Sequence, residues 1–291
     1  MLLKSFHSHA DPAHGTQGIV STAVAATRSC PPIVGLTLLH DALSHDIAAS
    51  TLQAILTQYD LGLHRNQVML FGRARGALPA HDEGREEQAS EGLAQPPPAK
   101  RRKTDPEATS SDGATGLPAW VEALLAHLSA ALAPPQLEPT LYALLFPPAP
   151  PDGSAPTNAQ GCSSRQVIVN LYEPGQGIAP HVDLLQRFGD GIVLCSLVSG
   201  TVMDFQHAEM TTGSNGGGGM EQGKHAVFLP ARSVAVLHGP ARYEWTHGIE
   251  GRLVDRVQAP DNPEHIEPIA RQRRISVTIR WLLPGADVVG E

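Results

Sequence analysis

Aromatic residues make up only 4% of this 291-residue chain, and it holds just three cysteines. Cys30, Cys162 and Cys195 are odd in number and show no metal-type spacing, a usage that suits a reducing compartment. Cys195 stands in an apolar run and is expected to pack as a small hydrophobe. No apolar run approaches the ~18 residues of a membrane span. A basic excess is also missing: the net charge is −8 and the pI about 5.9. Global charge therefore does not announce nucleic-acid binding. What the chain has in quantity is glycine and proline, 28 and 25 residues. That points to loops and disordered segments around one domain.

Residues 1–30 hold Lys4 and Arg28, few acids, and much Ala, Ser and Thr. They read as a disordered tail whose weakly transit-like composition leaves mitochondrial import open. One domain is expected over residues 31–284, interrupted by a disordered insert at 80–116 and a Gly-rich loop at 211–223. Within the 35–63 segment, Ile47, Leu52, Ile55, Leu56 and Tyr59 recur at helical steps, and Arg65 to Phe71 reads as a strand. Val121, Leu124, Leu125, Leu128 and Leu132 make a second helical stripe, with Pro118 suited to its first turn. Residues 134–164 are Pro-rich and read as loop. Strands are predicted over roughly 166–172, 191–198, 200–206, 225–230, 233–238 and 274–283. The expectation is a mainly β fold with flanking helices, a double-stranded β-helix of the jelly-roll kind. Inside the insert, Lys100, Arg101, Arg102 and Lys103 follow prolines and look like a nuclear import signal read by an import receptor.

The last strand carries the first chemical signal. In Arg274-Ile275-Ser276-Val277-Thr278-Ile279-Arg280-Trp281, side chains alternate. Arg274, Ser276, Thr278 and Arg280 share one face, and Ile275, Val277, Ile279 and Trp281 share the other. A face with two arginines is a poor core face, because unpaired buried charge is costly. It wants an anion, and two arginine arms along a strand of roughly 20 Å can grip a dicarboxylate.

Upstream, His181 and Asp183 sit two apart in Asn170-Leu171-Tyr172-Glu173-Pro174-Gly175-Gln176-Gly177-Ile178-Ala179-Pro180-His181-Val182-Asp183. On an extended segment they project to one side. A His-x-Asp pair with one distant histidine is the facial triad of non-haem iron(II) oxygenases. The distant ligand is expected at His247, with His238, which follows an apolar strand, as the competitor.

The strings NLYEPGQGIAPHVD, DGIVLCSLVSGTVMDFQH, RYEWTHGI and RISVTIR resemble the AlkB family of iron(II)- and 2-oxoglutarate-dependent dioxygenases. The resemblance runs from about Pro31 to Pro284. Met203-Asp204-Phe205 and Tyr243-Glu244-Trp245-Thr246-His247 look most like the AlkB-like domain of the animal enzyme that hydroxylates a modified wobble uridine in tRNA. The resemblance implies iron(II) on His181, Asp183 and His247, with 2-oxoglutarate and dioxygen as co-substrates. It implies that Arg274, Ser276 and Tyr172 bind the distal carboxylate. It also implies that Arg280 and Asn170 lie near the chelating carboxylate and orient Asp183. Oxidative decarboxylation to succinate and CO₂ would drive hydroxylation of a substrate C–H bond.

Members that demethylate adenine or cytosine tend to carry an acid two places after the metal Asp. Here that place is Leu185, which lowers the expectation of repair-type demethylation. A nucleic-acid substrate, tRNA before DNA, is implied by family alone. Phe71 and Tyr243 are the aromatic candidates for a base slot. The alternatives are a protein- or lipid-directed relative, a DNA or RNA alkylation-repair demethylase, and a binding scaffold with an inactive pocket. Of the local cluster Arg271, Arg273 and Arg274, one is expected buried and two solvated. The protein is expected to be a monomer, off the membrane, in nucleus or cytoplasm.

Overall fold

The computed structural model describes residues 25–62, 65–72, 116–151, 156–208 and 223–286. The basic run Lys100–Lys103, most of the 80–116 insert and the glycine run 213–219 lie outside the described residues. So do the first 24 residues of the expected tail.

Twelve strands and four helices are described: β1 (Leu36–Leu39), α1 (His45–Gln58), β2 (Gln67–Gly72), α2 (Ala119–Ala131), α3 (Pro139–Leu145), β3 (Ser164–Tyr172), β4 (Ile178–His181), β5 (Phe188–Leu197), β6 (Thr201–His207), β7 (Lys224–Leu229), β8 (Val234–Leu237), α4 (Pro240–Tyr243), β9 (Trp245–Ile249), β10 (Val254–Gln258), β11 (Ile266–Ala270) and β12 (Arg274–Leu282). A major sheet runs β1-β8-β5-β12-β3-β2, and a minor sheet runs β4-β9-β6-β7. Every pairing is antiparallel. This is the expected jelly roll, with β10 and β11 as a separate hairpin.

Alternation sorts each central strand into two faces. Val167, Val169 and Leu171 of β3, Val193, Cys195 and Leu197 of β5, and Ile275, Val277 and Ile279 of β12 bury against the helices. There they meet Trp120, Val121, Leu124 and Leu128 of α2, Ile55 of α1, and Leu141 and Leu145 of α3. Ile192 and Leu194 of β5 and Ala235 and Leu237 of β8 turn the other way. They meet Met203 and Phe205 of β6, Val227 of β7 and Ile249 of β9. The opposite faces of β3 and β12 carry Gln166, Asn170 and Tyr172, and Arg274, Ser276, Thr278 and Arg280. The polar residues therefore point into the space between the sheets, where a ligand can enter. Cys195 is fully buried, and burial pushes its thiol up to about 12.

Three expectations need correction. Residues 25–28 are packed and not tail-like: Ala26 and Thr27 bridge β10 and β7 by backbone hydrogen bonds, and Ala26 is fully buried, whereas Ser29 and Cys30 are exposed. Two adjacent backbones offered unpaired edge groups that a short extended segment satisfies. The Pro-rich stretch contains α3, started by Pro139 and anchored by Leu141 and Leu145. An i, i+4 pair alone is too short a stripe to stand out among prolines. Arg271 is buried, not solvated, because Asp255 meets it with two hydrogen bonds of 2.9 Å each. Among the described residues, no helix is long and apolar enough to cross a membrane.

Candidate metal and co-substrate site

β4 and β9 bring the two histidines together. Their register pairs Ile178 with Ile249 and then His181 with His247, so three steps on β4 oppose two on β9. Such a bulge re-aims a side chain, and an edge strand tolerates Pro180 within it. Residues opposite one another share a face, and the two imidazole centroids lie 4.5 Å apart. Gly248 allows the close crossing: a Cβ there would stand 2.9 Å from Pro180 Cα.

Asp183 lies past the end of β4, on the loop that leads to β5. Two arginines fix it. Arg242, 2% exposed, donates to the carbonyl oxygens of Asp183 at 3.0 Å and of Leu184 and Phe188 at 3.3 Å. Arg280 donates from Nη1 to Asp183 Oδ1. That leaves Oδ2, which stands 3.8 Å from His247 Nε2. His181 Nδ1 lies 2.9 Å from the Ala179 carbonyl, which leaves Nε2 of that ring to face the cluster. Burial, helped by the neighbouring His181 and Arg242, pushes the His247 pKa down to about 3. A neutral ring keeps a lone pair for a metal. Single ligand atoms from His181, Asp183 and His247 all lie within 4.8 Å of one another. Two imidazoles and one carboxylate fit a divalent iron of the facial-triad kind. His238 is not in the group.

Arg274 supplies the second half of the site. It is 4% exposed, and its Nη2 donates to Ser196 Oγ at 2.9 Å. Its Nε has no hydrogen-bond partner among the described residues. Tyr172 faces it, with the guanidinium 5.6 Å from the ring centroid. Burial raises the Tyr172 pKa, against the pull of Arg274. A buried guanidinium with a free N–H is costly unless an anion completes it. A carboxylate of 2-oxoglutarate is such an anion, and Ser276 lies two places along the same face.

The remaining expected residues divide. Asn170 does not reach Asp183: it is paired with Ser276 in register, and its Oδ1 accepts from Gln67 Nε2 at 2.7 Å. The residue paired with Arg280 is Gln166. Phe71 stands opposite Gln166 on β2, whereas Tyr243 packs against Arg242 on α4. The structure does not bring the two rings together into one slot. Leu185 is 53% exposed on the loop after Asp183. Ser196, Gln166 and Arg242 are site residues that the sequence reading missed. Only the pairing of β5 and β3 with β12, and the return of α4 beneath the loop, reveals them. A groove of about 380 Å³ lies on the outer face of the minor sheet, between Pro180, Asp204, Lys224 and Gly248. It backs the two strands, and its lining includes none of the three clustered ligands.

Residues 35–280 match the 2OG-Fe(II) oxygenase superfamily. The tRNA (carboxymethyluridine(34)-5-O)-methyltransferase ALKBH8 of Macaca fascicularis is 45% identical over 97 residues, 33% of this chain and 13% of that protein. The Alkylated DNA repair protein ALKBH8 homolog of Arabidopsis thaliana is 32% identical over 155 residues, 50% of this chain and 41% of that protein. The chain thus spans well under half the length of either relative. Among solved structures, OsALKBH1 superposes with a TM-score of 0.40 at 15% identity, covering 84% of this chain and 97% of that one.

Proposed function

This chain belongs to the 2OG-Fe(II) oxygenase superfamily, and from that premise we propose that it oxidises a modified nucleoside in nucleic acid, with tRNA preferred. The superfamily's chemistry uses iron(II), 2-oxoglutarate and dioxygen to oxidise a substrate C–H bond as the co-substrate becomes succinate and CO₂. His181, Asp183 and His247 are the residues that would hold the iron, and their clustering carries this reading. Arg274 would bind and orient the distal carboxylate of 2-oxoglutarate, aided by Tyr172 and Ser276. Arg280 holds Asp183 turned so that one oxygen stays free. No side-chain acid or base is needed.

The substrate class rests on what rims the site. Leu184 and Leu185, both exposed directly after Asp183, offer apolar contact and no acceptor. An exocyclic amine desolvated against leucine loses about 1–3 kcal/mol, or roughly ten- to hundred-fold in discrimination. A uracil edge, with a carbonyl where cytosine and adenine carry an amine, calls for no acceptor there and suffers less from its absence. The macaque and Arabidopsis relatives, one a tRNA (carboxymethyluridine) methyltransferase and one an alkylated-DNA repair protein homologue by name, support a nucleic-acid substrate.

The test offers wobble-modified tRNA and oligonucleotides carrying 1-methyladenine or 3-methylcytosine side by side, with mass spectrometry of released nucleosides. The expected result is a nucleoside gaining oxygen in the tRNA, weak demethylation of the oligonucleotides, and neither in His181→Ala. Efficient 1-methyladenine demethylation would establish the repair reading instead. Succinate formation with no altered nucleoside, but with an oxidised peptide or lipid, would establish the other alternative.

A further inference from the structure

The arginine that holds the metal carboxylate is itself held on two sides. Besides its bond to Asp183, Arg280 donates from Nε to Gln166 Oε1 at 2.9 Å. Its guanidinium carbon also lies 3.6 Å from the centroid of the Phe188 ring. Gln166 is 2% exposed and stands directly opposite Arg280 on β3. A buried glutamine must satisfy both ends of its amide, and the partners here dictate which end goes where. Arg280 can only donate, so it takes the oxygen. The amide nitrogen meets Met69 Sδ at 3.9 Å, a weak acceptor on the edge strand β2.

A guanidinium has a planar fork whose direction is set by its fixed N–H groups. Phe188 fixes the plane of the Arg280 fork, but stacking leaves rotation within that plane free. The Gln166 oxygen removes that freedom by capturing Nε, and Nη1 is then aimed at Asp183. We propose that Gln166 is a positioning residue for the metal carboxylate, acting through Arg280 and oriented by Met69. The proposal rests on the reading of His181, Asp183 and His247 as metal ligands. It adds a residue that never touches the metal and lies outside the sequence strings that carry the family resemblance.

The experiment uses the full chain, stripped of metal and titrated with Co(II). The affinity and the visible Co(II) absorption both report the carboxylate's geometry without any turnover. Gln166→Met keeps the length and apolar bulk of the side chain and loses the acceptor. It should weaken Co(II) binding about tenfold, the lower end for a partner of a metal ligand, and shift the absorption. Gln166→Glu restores an acceptor oxygen and should bind within about twofold of wild type. Arg280→Met should weaken binding, and Gln166→Met added to it should cause no further loss, because the two act in series. Wild-type affinity and absorption in Gln166→Met would overturn the proposal. So would equal losses in Gln166→Met and Gln166→Glu, or fully additive losses in the double variant. Co(II) binding indifferent to His181→Ala would overturn the metal reading itself, and this proposal with it. Binding lost in His181→Ala but untouched in Gln166→Met would overturn only the positioning role.

Discussion

Arg274 shows how far one residue can be read. Its alternation with Ile275, Val277 and Ile279 put a cation on the side away from the core, and the structure leaves its Nε unpaired there. Burial of so many donors is tolerable only with an anion present. Arg274→Ala should therefore weaken 2-oxoglutarate binding by about 1.5–3 kcal/mol, roughly ten- to hundred-fold. Titration of the Co(II)-loaded protein with 2-oxoglutarate measures it. Removing the charge should spare the fold, because among the described residues the Arg274 guanidinium has only the Ser196 hydroxyl as a hydrogen-bond acceptor. Ser196 itself was not legible. Nothing in the order of residues says that β5 lies beside β12. The sequence reading also gave Asn170 a share in holding Asp183, and the register assigns Asn170 to the level of Ser276 instead.

At the scale of elements, the site depends on two strands crossing closely and on one hairpin pinned beside them. Gly248→Ala would push its methyl to 2.9 Å from Pro180 Cα and N. The backbones must part, at a cost of about 1–3 kcal/mol, and His181 and His247 separate with them. Co(II) affinity should fall in that variant even though no ligand has changed. Asp255 pins the hairpin. It is fully buried, accepts from both Arg271 and Arg252, and also takes the Val202 backbone N–H at 3.1 Å. Arg271 in turn reaches the carbonyls of Gln176 and Glu250, at the approach to β4 and the end of β9. Burial alone would raise the Asp255 pKa, but the arginine bonds outweigh it and hold the carboxyl below its ordinary 3.8. A depressed carboxyl gives its full stabilisation above the ordinary value and loses it as pH falls through the folded-state value. Wild type should thus lose stability steeply below pH 3.8, by a component that Asp255→Asn lacks. At neutral pH Asp255→Asn should cost about 3–5 kcal/mol, since two arginines lose their buried counter-charge. Denaturant titrations at both pH values check this.

At the scale of the molecule, the described residues form one jelly roll, with chain interposed between β2 and α2. Residues 80–116 carry acids, Gln, Pro, Ser and Gly without hydrophobic period. They interrupt two stretches that share one core, since Val68 of β2 and Leu124 of α2 pack in the same cluster. Deleting them should leave thermal stability and succinate formation unchanged. If Lys100–Lys103 are an import signal, a tagged deletion should also lose nuclear accumulation. A fall in turnover would make the segment part of the substrate path.

The sequence by itself determined the fold class, the helical stripe from Val121 to Leu132, most major-sheet strands, and the chemistry of the site. It could do so because periodicity and His-x-Asp spacing are local, and because a charged face on an apolar strand is costly without a ligand. It also marked Leu185 as the place where a base-reading acid is absent. Only the tertiary structure decided that His247 and not His238 joins His181, because that depends on which strand pairs with β4. Only it showed Gln166 and Arg242 behind Asp183, the burial of Arg271 on Asp255, and the N-terminal segment sewn between β7 and β10. Each of these is a contact between residues more than a dozen positions apart. Sequence order does not encode such contacts, and they form only when register and sheet order bring the two backbones together.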